Sequence, residues 1–344
     1  MSAEVHSQLP PAPSTLFDAA GEPRIGTYHG SVPSVDLRPR LGSGLAARAL
    51  ALFKLKRWCW GTVATQDVLV AFAMVDAGVA ANAFCFAVDL KNGGLLIDHS
   101  ALGMKTAINL VDKPGDGFSV SLGLNGFTGR AGKVPGDSAF EAAVQSGAMT
   151  LEAQFDMAGA PGPLAVLMPV KGGDLDFTQK TTLLPARGTL RIGDRNWDLS
   201  GGFGGFDYTH GLFARHTSWR WAFALGKTKA GVPVSLNLAE GISDASPGEN
   251  AIWVGRELQA VGALKLAFDR NRYESPWHAS TADGAVDLEF TPKGMHREDR
   301  NLGLVKAHFV QVAGVFNGTI RDSSGSVHEI EGLPGVAEDQ DVVW

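Results

Sequence analysis

The chain has 344 residues, of which 44% are hydrophobic and 19% charged, and its formal net charge is -6 at pH 7. This composition is typical of a globular protein with a sizeable core, and it excludes a disordered or fibrous chain. The acidic balance argues against nucleic acid as a partner, because phosphate binding requires a basic surface.

The N-terminal stretch MSAEVHSQLPPAPS has neither the basic nor the apolar region of a signal peptide, so we expect a cytoplasmic protein. Residues 1–40 are interpreted as an N-terminal extension. Leu and Ala recur at helical spacing over residues 42–58, which predicts one helix there. Lys56 and Arg57 are expected at a strand start, in solvent.

The longest apolar tract, at residues 68–88, raises the question of a membrane span. Asp76 and Asn82 lie inside it and Gly78 interrupts it, so two buried strands around a turn are the better interpretation. The two cysteines, Cys59 and Cys85, are too few for a disulfide framework and are expected to be buried thiols.

Short apolar stretches separated by Gly, Asn, Asp and Pro dominate the rest of the chain, and the 43 glycines fit turns and bulges better than helices. The pattern predicts an all-β protein of sandwich or barrel type with few helices. The clearest stretches are at 67–75, 82–90, 117–124, 149–156, 188–199, 232–241 and 285–292.

A weak internal repeat relates RWCW at 57–60 to RWAF at 220–223, and both copies lead through an apolar run to a glycine. The offset between Trp58 and Trp221 equals that between Gly78 and Gly241. The repeat suggests two related β domains, at residues 41–178 and 179–344, with a cleft between them for a ligand.

The densest group of polar and aromatic residues runs from Asp207 to Asn250. In a strand, Trp219 and Trp221 share one face and Arg220 points to the other. The two tryptophans could fill a core or line a pocket, and Asp207 near Arg215 could be a structural ion pair or an acid with its orienting partner. HRED at 296–299 is expected in an exposed turn, with a cleft mouth as the alternative.

Standard catalytic motifs are absent from the sequence: it has no GxSxG elbow, phosphate loop, HExxH or dinucleotide fingerprint. His210 and His216 lack a third ligand at convincing spacing, so no metal site is predicted. We expect no cofactor.

Several segments together resemble the domain-of-unknown-function 2804 family. They are LKRWCWGTVATQDVLVAFAMVDAGVAANAFCFAVDL, FDYTHGLFARHTSWRWAFALG, VSLNLAEG and ENAIWVG, with PWHASTADGAVDLEFTP and the terminal GLPGVAEDQDVVW. More distantly, the W-x-W strand is similar to lipocalin-like proteins that include carotenoid hydratases and fungal cyclases acting on polyenes. The resemblance implies two packed lipocalin-like β-barrel or sandwich domains that bind lipophilic molecules between or within them.

The leading hypothesis is a cofactor-independent acid–base enzyme on a small lipophilic molecule: a hydratase (a lyase), an isomerase or a cyclase. The candidate catalytic residues are Asp207, His210 and Glu240, and the candidate substrate-binding residues are Arg215, Trp219, Trp221, Asn237, Glu249, Asn250 and Trp253. The alternatives are a non-catalytic carrier or sensor of a hydrophobic ligand, a structural protein and, more distantly, a metal-dependent hydrolase. The sequence leaves the oligomeric state open.

Overall fold

The computed structural model describes residues 9–123, 126–134, 139–244, 248–301, 303 and 305–344. Most of them lie in two antiparallel sheets, so the prediction of an all-β fold is confirmed. The helical elements described are a 3-10 turn at Arg38–Leu41, the helix α1 at Gly44–Lys54 and a second 3-10 turn at Lys105–Ala107. No helix in these residues is long and apolar enough to cross a membrane.

The first sheet contains the strands that precede residue 213, and it closes almost into a barrel. Its strands are β1 Gly26–His29, β2 Leu55–Ala64, β3 Val68–Asp76, β4 Ala80–Asp89, β5 Leu95–Met104, β6 Ile108–Leu110, β7 Gly117–Leu122, β8 Phe127–Lys133, β9 Ala139–Ser146, β10 Met149–Asp156, β11 Leu164–Pro169, β12 Leu175–Ile192, β13 Arg195–Asp198 and β14 Phe203–Leu212. The order along the sheet is β5-β4-β3-β2-β14-β12-β10-β9-β8-β7-β6, with β11 and β13 paired to β12 and β1 paired to β11.

The second sheet is a half barrel formed by the rest of the chain. Its strands are β15 His216–Lys227, β16 Pro233–Glu240, β17 Ala251–Val254, β18 Glu257–Ala260, β19 Leu264–Ala267, β20 Trp277–Thr281, β21 Val286–Asn301, β22 Lys306–Arg321 and β23 Val327–Val343. The order along this sheet is β18-β17-β16-β15-β23-β22-β21-β20-β19. The first sheet continues past residue 178 to Leu212, and the division of the chain into domains stays a prediction.

Each sheet buries one face in its own apolar core and the other face against its partner sheet. The core inside the first sheet includes Phe72, Phe155 and Phe206, and that of the second includes Trp277 and Phe290. A third cluster, which contains the four tryptophans 58, 60, 219 and 221, lies between the sheets. Alternation of side chains along a strand allows this double burial, because successive residues point to opposite faces.

One close approach between the sheets depends on a glycine. Gly205 on β14 faces Phe223 on β15, and a Cβ atom at position 205 would lie 2.7 Å from the ring of Phe223. A larger residue there would push the two strands apart, because ring atoms packed in a core have little room to move.

The predicted helix at 42–58 is too long at its C-terminal end. α1 stops at Lys54, and Leu55 already pairs with Leu212 of β14. Residues 55–58 belong to β2, which pairs with β14 and β3, and this sheet pairing outweighs local helix preference there. The described part of the N-terminal extension packs on the first sheet through Leu16, Val32 and Val35, while residues 1–8 lie outside the described residues.

The prediction that Lys56 and Arg57 lie in solvent is wrong. Lys56 is buried, its Nζ donates to the carbonyl of Ala77, and burial lowers its pKa to about 8. Arg57 binds the carboxylates of Asp76 and Asp112 at 2.6 and 2.8 Å. Both side chains are tied down because β2 lies inside the sheet, between β3 and β14.

The apolar tract at 68–88 forms strands β3 and β4 around a turn at Gly78, as predicted. Gly78 has a positive φ of 95° and sits against the carbonyl of Leu52, so a side chain does not fit there.

Cys59 and Cys85 are buried free thiols, which confirms the prediction. The segment at 296–299 is not a turn but part of β21, where His296 is buried.

Candidate active site

A cavity of about 310 Å³ lies between the two sheets. Strands β2, β3, β4, β12 and β14 of the first sheet face β15, β21, β22 and β23 of the second across it. Most of the wall is apolar, and the polar side chains that reach it are Asn82, Asp176, Lys180, Asp207, Thr209, Glu249, Glu298, Arg300, Gln311, Glu338 and Gln340.

Two pairs of tryptophans form the central wall. Trp58 stacks on Trp219 with 5.6 Å between ring centroids, and Trp60 meets Trp221 edge-on at 4.9 Å. Each pair joins one residue of β2 to one of β15, because alternation points both tryptophans of a strand into the space between the sheets. Trp219 and Trp221 therefore line the cavity, the pocket-wall alternative of the sequence analysis.

The four indole N–H groups all donate to polar side chains. Trp58 donates to Asp207 at 3.3 Å, and Trp60 donates to Gln311 at 2.9 Å. Trp219 and Trp221 donate to Glu338 and Asn237, each at 2.8 Å. Buried indoles need such partners, and these bonds fix the orientation of the rings beside the cavity.

Lys180 on β12 lies between two acidic side chains. Its Nζ is 2.7 Å from Oδ1 of Asp207 and 2.9 Å from Oε2 of Glu249. Asp207 is its direct neighbour in the pairing of β12 with β14, so the sheet itself sets this contact. Burial lowers the pKa of Lys180, but the charges of Asp207 and Glu249 outweigh burial and raise the pKa above its ordinary value. The lysine is therefore a charged, fixed group.

Glu338 on β23 faces this ion-pair group from the second sheet. Its two oxygens accept hydrogen bonds from Trp219 at 2.8 Å and from Gln311 at 2.6 Å. Burial raises the pKa of Glu338 to about 7, although both hydrogen bonds and the charge of Lys180 lower it. A carboxyl group with this pKa can both give and take a proton near neutral pH.

Asp176 is the fourth acidic side chain at this end of the cavity. It is 1% exposed, and neither of its oxygens has a hydrogen-bond partner among the described residues. Burial and the charges of Glu249 and Asp207 raise its pKa well above the ordinary value. These shifts favour the neutral form of the Asp176 carboxyl group, whose oxygens a bound molecule could use as hydrogen-bonding partners.

The opposite end of the cavity has a different polar group. Arg300 binds Glu298 at 2.8 Å, and Asn82 of the first sheet donates to Glu298 at 3.5 Å. Burial raises the pKa of Glu298, but bonds from His296 and Ser100 and the charge of Arg300 lower it to about 2. Glu298 therefore carries a charge near neutral pH. Because Glu298 lines the cavity, the segment HRED at 296–299 lies beside it, which corresponds to the cleft-mouth alternative of the sequence analysis.

The structure brings part of the sequence-predicted site together. Asp207, Trp219, Trp221 and Glu249 line the cavity. Asn237 lies directly behind the wall, where it accepts from Trp221 and donates to the backbone carbonyl of Glu249 at 2.8 Å. Its role there is to hold two wall residues in place.

The other candidates lie away from the cavity among the described residues. His210 is buried on β14 beside Tyr208, and burial lowers its pKa to about 4. Glu240 is half-buried and pairs with Arg220 at 3.8 Å; burial raises its pKa. The remaining three bond to the backbone: Arg215 to Trp344, Asn250 to Ala239 and Trp253 to Gly162.

Sequence reasoning missed Asp176, Lys180 and Glu338. Asp176 and Lys180 lie in GGDLDFTQK, the segment that contains the boundary between the predicted domains 41–178 and 179–344. The available signal was alternation: Asp176, Thr178 and Lys180 share one face of a strand. Glu338 lies 119 residues from Trp219, whose N–H it accepts, and no local pattern reveals such a contact.

Solved structures of similar fold include enzymes. Kievitone hydratase from Nectria haematococca matches with a TM-score of 0.50 and 14% identity, covering 86% of this chain and 90% of that one. CghA with Sch210972 matches with a TM-score of 0.47 and 12% identity, covering 93% and 99%. An AttH-like protein from Nitrosomonas europaea has a TM-score of 0.46 and 10% identity, covering 90% and 96%. At such identity the likeness shows the fold alone, which is lipocalin-like as the resemblance implied.

No curated protein matches the chain. The family model described as "Domain of unknown function (DUF2804)" matches residues 10–344, nearly the whole sequence. The resemblance noted from the sequence motifs is thereby confirmed, and the chain belongs to the family of the domain of unknown function 2804.

Proposed function

We propose that this protein is an acid–base enzyme of hydratase, isomerase or cyclase type that acts on a small lipophilic molecule. The observation that carries the proposal is Glu338, a carboxyl group with its pKa raised to about 7 on the wall of an apolar cavity of about 310 Å³. Proton transfer by a side chain is most efficient when its pKa is close to the working pH.

The tryptophan wall supports the same chemistry. When a carboxyl group protonates a carbon–carbon double bond or a leaving hydroxyl, positive charge develops on carbon. Indole faces stabilise such charge, and Trp58, Trp60, Trp219 and Trp221 surround the space next to Glu338. In a hydration, Glu338 would give its proton to the double bond, water would add to the cation, and the proton released from water would return to the Glu338 carboxylate.

The remaining acidic residues take supporting roles in this proposal. Asp207 and Glu249 hold Lys180, and the resulting charged group fixes the floor of the cavity. Asp176 supplies a buried carboxyl group without another partner for a hydrogen bond to the substrate. The fold is also similar to that of kievitone hydratase, an enzyme whose name describes a hydration, and this analogy agrees with the proposal without carrying it.

The experiment that tests this proposal measures proton transfer to and from a substrate. Purified protein is incubated in D₂O with a lipid extract, and mass spectrometry follows compounds that gain or lose one water or exchange hydrogen for deuterium. We expect such products with the wild-type protein and a loss of at least about a hundredfold in rate with Glu338→Gln. Glu329→Gln on the same strand is the matched control, since Glu329 is exposed and outside the cavity wall. Equal rates for Glu338→Gln and the wild type would contradict the proposal.

The second candidate is a carrier of a hydrophobic ligand. The observation that favours it is the apolar wall, which binds a lipophilic molecule whether or not a reaction follows. Native mass spectrometry separates the two functions. A ligand that co-purifies and stays unchanged in D₂O with both the wild type and Glu338→Gln indicates a carrier.

A further inference from the structure

The cavity has polar groups without partners at two separate places on its wall. Among the described residues that line it, the buried side-chain atoms without a hydrogen bond are both carboxyl oxygens of Asp176 and the Oδ1 of Asn82. A buried polar atom without a partner costs on the order of 1–3 kcal/mol, so such atoms point to something that binds there.

The two places lie at opposite ends of the cavity. Asp176 is on β12 and Asn82 is on β4, and the strands β3, β2 and β14 lie between them in the sheet. Neighbouring strands are about 4.8 Å apart, which places the two residues roughly 19 Å apart along the curved sheet. The space between them is bordered by alanine, valine and tryptophan side chains, such as Ala73, Val75 and Trp58.

The chemistry of each end follows from its neighbours. The Nδ2 of Asn82 donates to the Glu298 carboxylate, which fixes the orientation of the amide and leaves Oδ1 as an acceptor. That end requires a hydrogen-bond donor such as a hydroxyl. Both carboxyl oxygens of Asp176 are buried without a partner among the described residues, and burial favours the neutral form of this group. Its end therefore takes an oxygen that can accept or donate: a carbonyl, ether or hydroxyl.

The unpartnered oxygens of Asp176 are kept open by the strand next to it. Asp176 pairs with Gly211 of β14, and a Cβ atom at Gly211 would lie 2.6 Å from Oδ1 of Asp176. Glycine at this position leaves the carboxyl group facing the cavity without contact from its cross-strand neighbour.

We infer that the ligand of this cavity is an elongated molecule with an apolar middle and an oxygen function at each end, bound by a hydroxyl at Asn82 and by an oxygen at Asp176. This deepens the proposed function, since it names the substrate class of the same site. It also holds for a carrier, because both contacts concern binding and not proton transfer.

The first test uses calorimetry with the unaltered protein and four linear probes built on the same decane chain: decanediol with a hydroxyl at each end, its monomethyl ether, its dimethyl ether and decanol. The diol and the monomethyl ether should bind within about threefold of each other, because the ether oxygen can lie at Asp176. The dimethyl ether should bind roughly tenfold more weakly, because it offers Asn82 no donor. Decanol should not bind more tightly than the diol, although it is the more hydrophobic probe.

The second test removes one end at a time. Asn82→Leu and Asp176→Leu should each weaken diol binding relative to decanol by roughly tenfold. Asn196→Leu is the matched control, since Asn196 is exposed on β13 and outside the cavity wall. Should one of the two cavity variants misfold, the dimethyl ether comparison in the wild type still decides.

The inference would be overturned by decanol binding the wild type more tightly than the diol, or by the dimethyl ether binding as well as the diol. Failure of all four probes to bind would overturn it too. None of these outcomes depends on turnover. A two-ended binding pattern together with unchanged deuterium incorporation in Glu338→Gln would instead refute the proposed enzyme and keep the ligand class.

Discussion

The interior of the first barrel and the space between the two sheets are built from similar residues and packed very differently. Inside the first sheet, Phe72, Phe155 and Phe206 fill the core, and the pocket beside them holds about 40 Å³. Between the sheets, four tryptophans enclose about 310 Å³ and a group of acidic side chains. Aromatic residues therefore fill the core of the first sheet, whereas between the sheets they form the wall of a cavity. The difference lies in their polar partners, because each indole of the inter-sheet space is anchored at its N–H.

The space between the sheets also differs from the core of the first sheet in its cluster of buried ionisable side chains. The four carboxyl groups Asp176, Asp207, Glu249 and Glu338 lie near a single buried cation, Lys180. Burial of ionisable groups is costly, and structures retain it where the groups have a function. The comparison favours the space between the two sheets, and not the core inside either sheet, as the candidate site.

The largest effect on the space between the sheets is expected from removal of its buried cation, Lys180. Lys180→Met leaves Asp207 and Glu249 buried without their partner, and we expect a loss of about 5 kcal/mol in the free energy of unfolding, or failure to fold. Urea unfolding measures it. Lys229→Met removes an exposed lysine that also contacts two glutamates, and it should leave the urea midpoint almost unchanged. Equal midpoint shifts in the two variants would show that burial does not distinguish the pairs.

A pH titration sharpens the comparison at Glu338. Its pKa in the folded protein is about 7, above the ordinary value of 4.5, because of burial. Between these pH values the folded chain keeps the proton and the unfolded chain does not, so the contribution of Glu338 to stability falls as pH rises and levels off above pH 7. Relative to Glu338→Gln, the wild type should lose roughly 3 kcal/mol over this interval.

The measurement is the difference in unfolding free energy between the wild type and Glu338→Gln at a series of pH values. Taking the difference cancels the groups that do not interact with Glu338; the interactions of Glu338 with Asp207 and Lys180 are part of the measured difference. A difference that does not change between pH 4.5 and 7 would show that Glu338 titrates as an ordinary carboxyl group.

The smallest expected effect concerns empty space. Ala142→Leu in the filled first core should cost about 1–3 kcal/mol through overpacking. Ala73→Leu on the cavity wall meets open space and should change stability by less than about 1 kcal/mol while weakening probe binding. Chemical unfolding and calorimetry report the two properties separately. If both leucines destabilise equally, the cavity is smaller in solution than in the structure.

The sequence revealed the fold better than the site, for a physical reason. Alternation and turn residues are local, so strands such as β3 and β4 could be predicted, and so could the shared face of Trp219 and Trp221. The limit of the helix at Lys54 depends on the pairing of Leu55 with distant Leu212, which no local pattern contains.

The site depends on such distant pairing throughout. Lys180 meets Asp207 through the register of two strands, and Glu338 meets Trp219 across 119 residues. From the sequence, Glu240 is predicted as a catalytic residue and Glu249 only as a substrate-binding residue, although both are acidic residues near tryptophans. Only the fold shows that Glu249 reaches Lys180 and that Glu240 pairs with Arg220 outside the cavity wall.

The stacking of Trp58 on Trp219 has an optical consequence. Two indoles whose planes differ by 10° and whose centroids are 5.6 Å apart share their excited states. Because the two rings belong to different sheets, the strength of this exciton coupling depends on the separation of the sheets. The exciton signal in the circular dichroism of the unlabelled protein should therefore change when the space between the sheets opens or is filled.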